Sequence, residues 1–410
     1  MKKRLISLVA AAALVGGIAT VSAPVSAQAG TVAVKGDTQV QLYGALKFTA
    51  DWASRTNGLT ANTAFKSRNN NVSDRAQNKL NFQGFTMNGA GTKFGFNFSN
   101  KDANLSGKLE IGTGTAGVNL RHAYIKHTFD NGLYVLVGQT DNTFEANYTS
   151  FNMLPNGIAG LNGAAPRSPQ VAVGGKFDIA DTASLDFKFA FMNSNYATYG
   201  AGLSQNRRTF PTIGLNVGVN FETGFGAPAR VYGGVVTEND KILNINPATW
   251  TETSKTGVGY TFGIVLPVSM VTVQSEYAHA KGMNALAGVA TTGALSTPPS
   301  YWWNGTTNSI ETTKYTAWNL EAKITPMACV SVAAGYGHLK FKNGGFAANQ
   351  IKKNSTVFVN ASIKTTKYTT LMLEYDHIKT KAYDPAATAA NPITTSYSGN
   401  SYFMAYTYSF

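Results

Sequence analysis

The feature that most constrains this chain is a period-two alternation of polar and apolar residues, repeated along its length and broken at intervals by reversal signals. Gln39, Gln41, Tyr43, Lys47, Thr49 and Asp51 alternate with Val40, Leu42, Leu46, Phe48 and Trp52. That spacing gives a strand one polar and one apolar face, whereas a helix would scatter the same residues around its axis. Asp186, Lys188 and Ala190 stand in the same way against Leu185, Phe187, Phe189 and Phe191. So do Thr212, Asn216, Asn220 and Glu222 against Ile213, Leu215, Val217, Val219 and Phe221. Later, Val258, Tyr260, Phe262, Ile264 and Leu266 oppose Gly257, Gly259, Thr261 and Gly263, and Trp318, Leu320, Ala322 and Ile324 oppose Asn319, Glu321 and Lys323. The segment 118–129 resists: neither register is clean, and its faces can be read either way.

The breaks alternate between short and long. Tight Gly, Pro, Asn and Asp signals fall at 101–102, 130–132, 179–182, 224–227, 266–267, 325–327 and 365–367. Between them lie longer polar stretches at 53–91, 142–167, 194–208, 239–254, 282–311, 342–352 and 383–396, with 112–117 as the short member of the set. Seven turns alternating with eight loops leave sixteen strands. Their apolar face has no core to enter, so it faces lipid, and a sheet in lipid must close because an open edge leaves backbone N–H and C=O groups unsatisfied. The expected fold is all-β: a transmembrane antiparallel barrel of about 16 strands, with short periplasmic turns and long extracellular loops. Trp52, Tyr134, Tyr232 and Tyr277, near strand ends, are expected in the interfacial aromatic girdles.

The N-terminus reads as an export signal. Lys2, Lys3 and Arg4 precede an apolar run from Leu5 to Val21, and Val25-Ser26-Ala27 is a small-residue cleavage pattern. Residues 1–27 are therefore expected to be a signal peptide and 28–410 a single barrel domain. No later stretch reaches the about 18 apolar residues of a spanning helix. Charged residues make up only 13% of the chain, against about 25% in typical globular domains. That suits a chain with lipid outside and water inside, and equally a secreted β-rich surface protein. The 34 basic residues, less the three of the leader, exceed 21 acidic ones by +10. The excess is dispersed, which argues against a nucleic-acid patch and fits a field attracting anions.

Chemical motifs are sparse. Gly112-Thr113-Gly114-Thr115-Ala116-Gly117 matches a dinucleotide fingerprint literally, but the residues after it read as strand where the phosphate site requires a helix. The five histidines share no metal-ligand spacing, and His122 and His127 point to opposite faces of one strand. Cys329 is alone, so neither an internal disulfide nor a cysteine metal site is available. No nucleophile elbow occurs, and the chain is read as a non-enzyme without cofactor or metal. The polar faces carry Lys47, Lys108, Lys188, Lys323 and Lys364 together with Glu110, Asp186, Glu276, Glu321, Glu374 and Asp376, a charged lining for a water-filled interior. The third loop holds Asp141 and Glu145 at one end and Arg167 at the other. Tyr148, Phe151, Met153, Leu154 and Pro155 lie between them. So many apolar groups suit a loop packed on the inner wall; a rim loop at a subunit contact is the alternative.

Two resemblances add to this reading. The segment 402–410 alternates aromatics and ends in Tyr406, Tyr408 and Phe410. It looks like the C-terminal signature of bacterial outer-membrane barrels, and implies recognition by the barrel-assembly machinery. Lys93-Phe94-Gly95-Phe96, Asn119-Leu120-Arg121-His122-Ala123-Tyr124, Gly138-Gln139-Thr140 with Phe144, and Arg167-Ser168-Pro169-Gln170-Val171 resemble the DcaP-like trimeric porins over 36–177. The second half matches only in strand pattern, and the N-terminal coiled coil of some members is not found between Gln28 and Asp37. The resemblance implies a homotrimer, a third loop folded into the lumen and a preference for small anions such as dicarboxylates. It also implies Arg121 and Arg167 at the constriction, where an arginine fork can bind a carboxylate bidentately. Lys47, Arg207, Arg208 and Glu145 are further selectivity candidates. The implied partners are small anionic solutes and the lipid and lipopolysaccharide of the outer membrane. The competing functions are a non-selective general porin, a barrel enzyme and a secreted surface protein.

Overall fold

The computed structural model describes residues 31–35, 38–53, 84–114, 117–144, 149–153, 158–159, 167–194, 196–208, 210–244, 251–287, 297–343, 350–383 and 394–410. Sixteen barrel strands run in chain order. They are β1 (Thr38–Ala53), β2 (Gly84–Asn88, continued as Lys93–Asn100), β3 (Leu105–Gly114) and β4 (Gly117–Thr128). Next come β5 (Leu133–Thr140), β6 (Ser168–Ala180), β7 (Ala183–Met192) and β8 (Leu203–Arg208, continued as Thr212–Phe221). Then follow β9 (Ala229–Asn244), β10 (Thr251–Val268), β11 (Val271–Lys281) and β12 (Lys314–Met327). The last four are β13 (Val330–Lys342), β14 (Ile351–Lys364), β15 (Thr369–Tyr383) and β16 (Thr394–Ser409).

Each strand pairs antiparallel with the next, and β16 returns to β1 with Ser409 opposite Ala45 and Ser401 opposite Ala53. The sheet is a closed sixteen-stranded barrel, as the alternation requires. At the seam Gly44 and Phe410 exchange backbone hydrogen bonds, N to O at 2.9 Å and 3.1 Å. The Phe410 ring lies over Gly44, where a Cβ would strike it.

The two faces follow the alternation. Leu46, Phe48, Leu215, Phe262 and Trp318 are exposed on the outside, and Thr49, Asp51, Thr261, Asn319 and Glu321 are buried on the inside. The segment 118–129 is explained by a bulge. Glu110 pairs with His122 but Ile111 pairs with Leu120, so Arg121 is the extra residue. Arg121 and His122 then both face inward, and each half of β4 has its own register.

Other expectations are corrected. Tyr134 and Tyr232 are not girdle residues: Lys126 Nζ lies over the Tyr134 ring, and buried Tyr232 donates to Glu276 inside the barrel. Tyr232 fits inward because Gly263 on the neighbouring strand leaves room for its ring. Trp52 and Tyr277 do share the outer face with Tyr402 and Tyr260. Stretches expected to be loop, 203–208, 239–244 and 251–254, extend the strands. There an apolar cap of Ala197, Leu203, Ile242, Tyr301 and Ile310 covers Glu238 and Asp240, whose polarity gives a loop-like composition. The connection between β11 and β12 also forms a hairpin, Tyr301–Asn304 with Ser309–Thr312, and a short 3-10 turn at Asn284–Ala287.

Candidate functional site: the lumen constriction

The interior is divided between a loop and a bare charged wall. After β5 the chain leaves the wall, and Phe144 becomes fully buried among Met192, Val236, Met283 and Leu286. It then follows the inner face of β11 to β16. Thr149 O accepts from Gln274, and Ser150 Oγ and Phe151 N donate to Glu321 at 2.9 Å and 2.7 Å. Met153 N donates to Glu374 at 2.8 Å, and Asn152 Nδ2 to Asp376 at 2.8 Å. Ile158 packs with Ala333 and Phe358, and the Ala159 carbonyl sits where a Cβ on Gly337 would be. Wall carboxylates thus accept loop N–H groups, which satisfies buried charge and buried backbone together.

The wall left uncovered is β1 to β6. Glu110 on β3 is its centre, 1% exposed. Tyr43 OH donates to Glu110 at 2.8 Å, Lys108 Nζ lies at 3.5 Å and Arg121 Nε at 2.5 Å. His122, brought inward beside Arg121 by the bulge, has Nε2 3.9 Å from the same carboxylate. Its Nδ1 bonds Thr140 Oγ1 at 3.0 Å, and Arg167 Nε donates to its Nε2 at 3.1 Å. That acceptor role assigns the ring proton to Nδ1. Arg167 Nε also lies 2.8 Å from Asp141.

Arg121 and Arg167, distant in sequence, therefore stand together, separated by one carboxylate and one imidazole. Both are held at Nε, and among the described residues no group pairs with their terminal nitrogens. Their side chains keep 31% and 26% of their surface open to the lumen. Lys47 lies on the same wall, nearer the loop, with Nζ 5.7 Å from the Phe403 ring against which Met153 packs.

Arg208 and Arg207 are not brought to this cluster. Arg208 reaches Asp240 at 3.5 Å and Glu238 at 4.0 Å near the loop rim. Arg207 lies on the outer face, 3.7 Å from Glu252. Glu145 falls outside the described residues. His122 and Thr140 were missed as members of the site; the unreadable register around Arg121 was the signal that two neighbouring residues could share a face. Towards the turn rim a cavity of about 410 Å³ is lined by Lys126, Lys188, Asp186 and Asn216. Beside it Arg230 forks onto Asp186 at 2.5 Å and 2.8 Å.

This architecture is that of outer-membrane porins. The chain superimposes on the outer membrane channel DcaP of Acinetobacter baumannii with a TM-score of 0.70 and 20% identity, covering 95% of this chain and 100% of that one. An anion-selective porin from Comamonas acidovorans gives 0.57 and 12% identity, covering 91% and 100%. OmpT of Vibrio cholerae gives 0.54 and 13%, covering 92% and 100%. No family model matches the sequence, and no curated relative does.

Proposed function

We propose that the chain is an outer-membrane channel for passive diffusion of small hydrophilic solutes, that it prefers small carboxylate-bearing anions, and that it works as a homotrimer without enzymatic activity. The observation that carries the preference is an asymmetry of access. On the inner face Asp51, Glu276, Glu321, Glu374 and Asp376 are each no more than 6% exposed, and they accept hydrogen bonds from the loop or the wall. Lys108, Arg121 and Arg167 instead present a quarter or more of their side chains to the lumen. Around the cluster Glu110 is buried and Asp141, 45% exposed, is paired with Arg167, so a passing solute meets more cations than carboxylates. In a narrow aqueous path with low-dielectric walls this raises local anion concentration. Arg121 and Arg167 supply forks for a carboxylate, and Lys47 adds charge on the same wall, nearer the loop.

An anion-selective protein and a trimer form among the porins of this fold accord with the reading. Export by the segment 1–27, contact with lipopolysaccharide, and use of Tyr406, Tyr408 and Phe410 by the assembly machinery belong to the same proposal. A planar bilayer recording tests it. The wild type is expected to open in steps of three, to reverse on the anion-preferring side in a salt gradient, and to be blocked by a dicarboxylate. The block weakens as salt rises toward 1 M, where screening acts over about 3 Å. Arg121→Glu with Arg167→Glu shifts the reversal potential toward cations, and Arg230→Glu, already committed to Asp186, shifts it less. An unshifted double variant refutes the constriction. A cation-preferring wild type refutes the anion preference and leaves the channel standing.

A further inference from the structure

The outer face of the barrel carries a row of lysines at the loop rim with no ion-pair partner among the described residues. Lys281 on β11 lies directly opposite Lys314 on β12, and Lys314 opposite Lys342 on β13. One residue pair lower, Lys340 on β13 faces Lys353 on β14, and Lys353 faces Lys381 on β15. All six are in phase with the outward row that includes Tyr277, Trp318, Tyr336 and Val357. Like charges directly opposed across strands are destabilising, and here they continue over five strands.

Nothing described compensates them. The carboxylates of these strands, Glu276, Glu321, Glu374 and Asp376, are all buried on the inner face. None of the six lysines makes an ion pair among the described residues, although next to them Arg207 and Lys241 share Glu252. The charged neighbours of His279 on this face are Lys314 and Lys342, and those of His338 are Lys340 and Lys353. By sequence the connections between these strands, 282–313, 343–350 and 384–393, contain two carboxylates, Glu311, which accepts from Ser309 Oγ, and Asp384. At the same rim, β2 to β4 present Met87, Ile111, Val118 and Leu120 instead, so the lysines occupy one sector and not the whole circumference. The row sits above the exposed aromatics Tyr277, Trp318 and Tyr336, the side chains that mark the headgroup level.

We propose that this row binds the phosphate groups of anionic glycolipid headgroups in the outer leaflet, an inference that rests on the outer-membrane placement above. Lysine suits phosphate as a point charge. Neighbouring strands about 4.8 Å apart let one multiply phosphorylated headgroup bridge several of them. Lipid supplies the counter-charge that the fold omits and replaces repulsion with attraction.

The test compares wild type with Lys314→Gln/Lys340→Gln/Lys353→Gln/Lys381→Gln in dodecyl maltoside, with heat-modifiable migration and channel conductance reporting an intact barrel. Without lipid the variant is expected to unfold at a higher temperature than the wild type, because opposed charges have been removed. With diphosphorylated lipid A the order reverses. Lipid A then binds the fourfold variant roughly a thousandfold more weakly, at about 1 kcal/mol for each of four basic residues near a charged surface, and the corresponding Lys→Arg variant restores binding. Equal lipid A binding by wild type and the glutamine variant overturns the proposal. So does displacement of lipid A by inorganic phosphate at matched phosphate concentration, or equal binding of lipid A and its dephosphorylated form. If the fourfold variant does not fold, Lys340→Gln/Lys353→Gln gives the same comparison. A wild type that lacks heat-modifiable migration and conductance refutes the channel instead and is read separately.

Discussion

At position 121 the chain inserts one residue more than its neighbour strand, and much of the site chemistry follows from that insertion. Without it Arg121 and His122 would point to opposite faces, and only one could reach Glu110. With it, Arg121 is held through Nε, and its forked end stays open to the lumen. Arg121→Lys therefore separates charge from geometry. The reversal potential in potassium chloride is expected to stay near that of wild type, since the charge remains. Block by a dicarboxylate loses a charge-assisted bond of about 1.5–3 kcal/mol, so the blocking concentration rises roughly tenfold or more. Concentration-dependent block in a planar bilayer measures both. Equal weakening of chloride selectivity and block would place Arg121 as a general charge and not a fork.

For the strands, most of the architecture was legible because lipid outside and water inside impose the same binary pattern on every element. Pairing of Phe189 with Leu215 and of Lys188 with Asn216 matches the faces read from alternation. Leu215→Arg at the lipid face is expected to cost about 2–4 kcal/mol if it lies near the midplane, while Lys188→Gln folds normally; urea unfolding in vesicles measures the difference. What could not be read was whatever breaks the pattern locally. The bulge hid two inward neighbours, and Tyr232 went inside because a glycine on the adjacent strand made space. The upper parts of β8 to β10 looked like loops because apolar Leu203 and Ile242 turn inward under a cap while Arg207, Lys241 and Glu252 turn outward. Arg121 and Arg167 were singled out through resemblance, whereas their meeting through His122 depends on a bulge and on the path of the third loop. That path has its own test. Gly337→Leu, aimed at the Ala159 carbonyl, and Glu374→Leu, which removes the acceptor for Met153 N, should each loosen the loop. Noisier and larger single-channel currents with unchanged barrel migration are expected. Quiet wild-type currents in both would mean that these contacts do not hold the loop.

For the whole molecule, closure is the property from which the rest derives. The chain should resist SDS until boiled and then shift its mobility, and a helical circular-dichroism spectrum in detergent would contradict the fold. Removing Phe410 tests assembly apart from stability: surface yield in cells should fall while refolding in detergent is largely retained, and an undiminished yield would remove its proposed role. The seam itself has a consequence in time. Because β1, paired at its start with the short strand Thr31–Lys35, closes the ring only against β16, no partial chain can complete the ring, however much of it has been made. Every earlier stage is an open sheet with two bare edges, which neither lipid nor a crowded aqueous compartment tolerates. With the export proposed above, the molecule would travel unfinished and acquire its shape in a single late event.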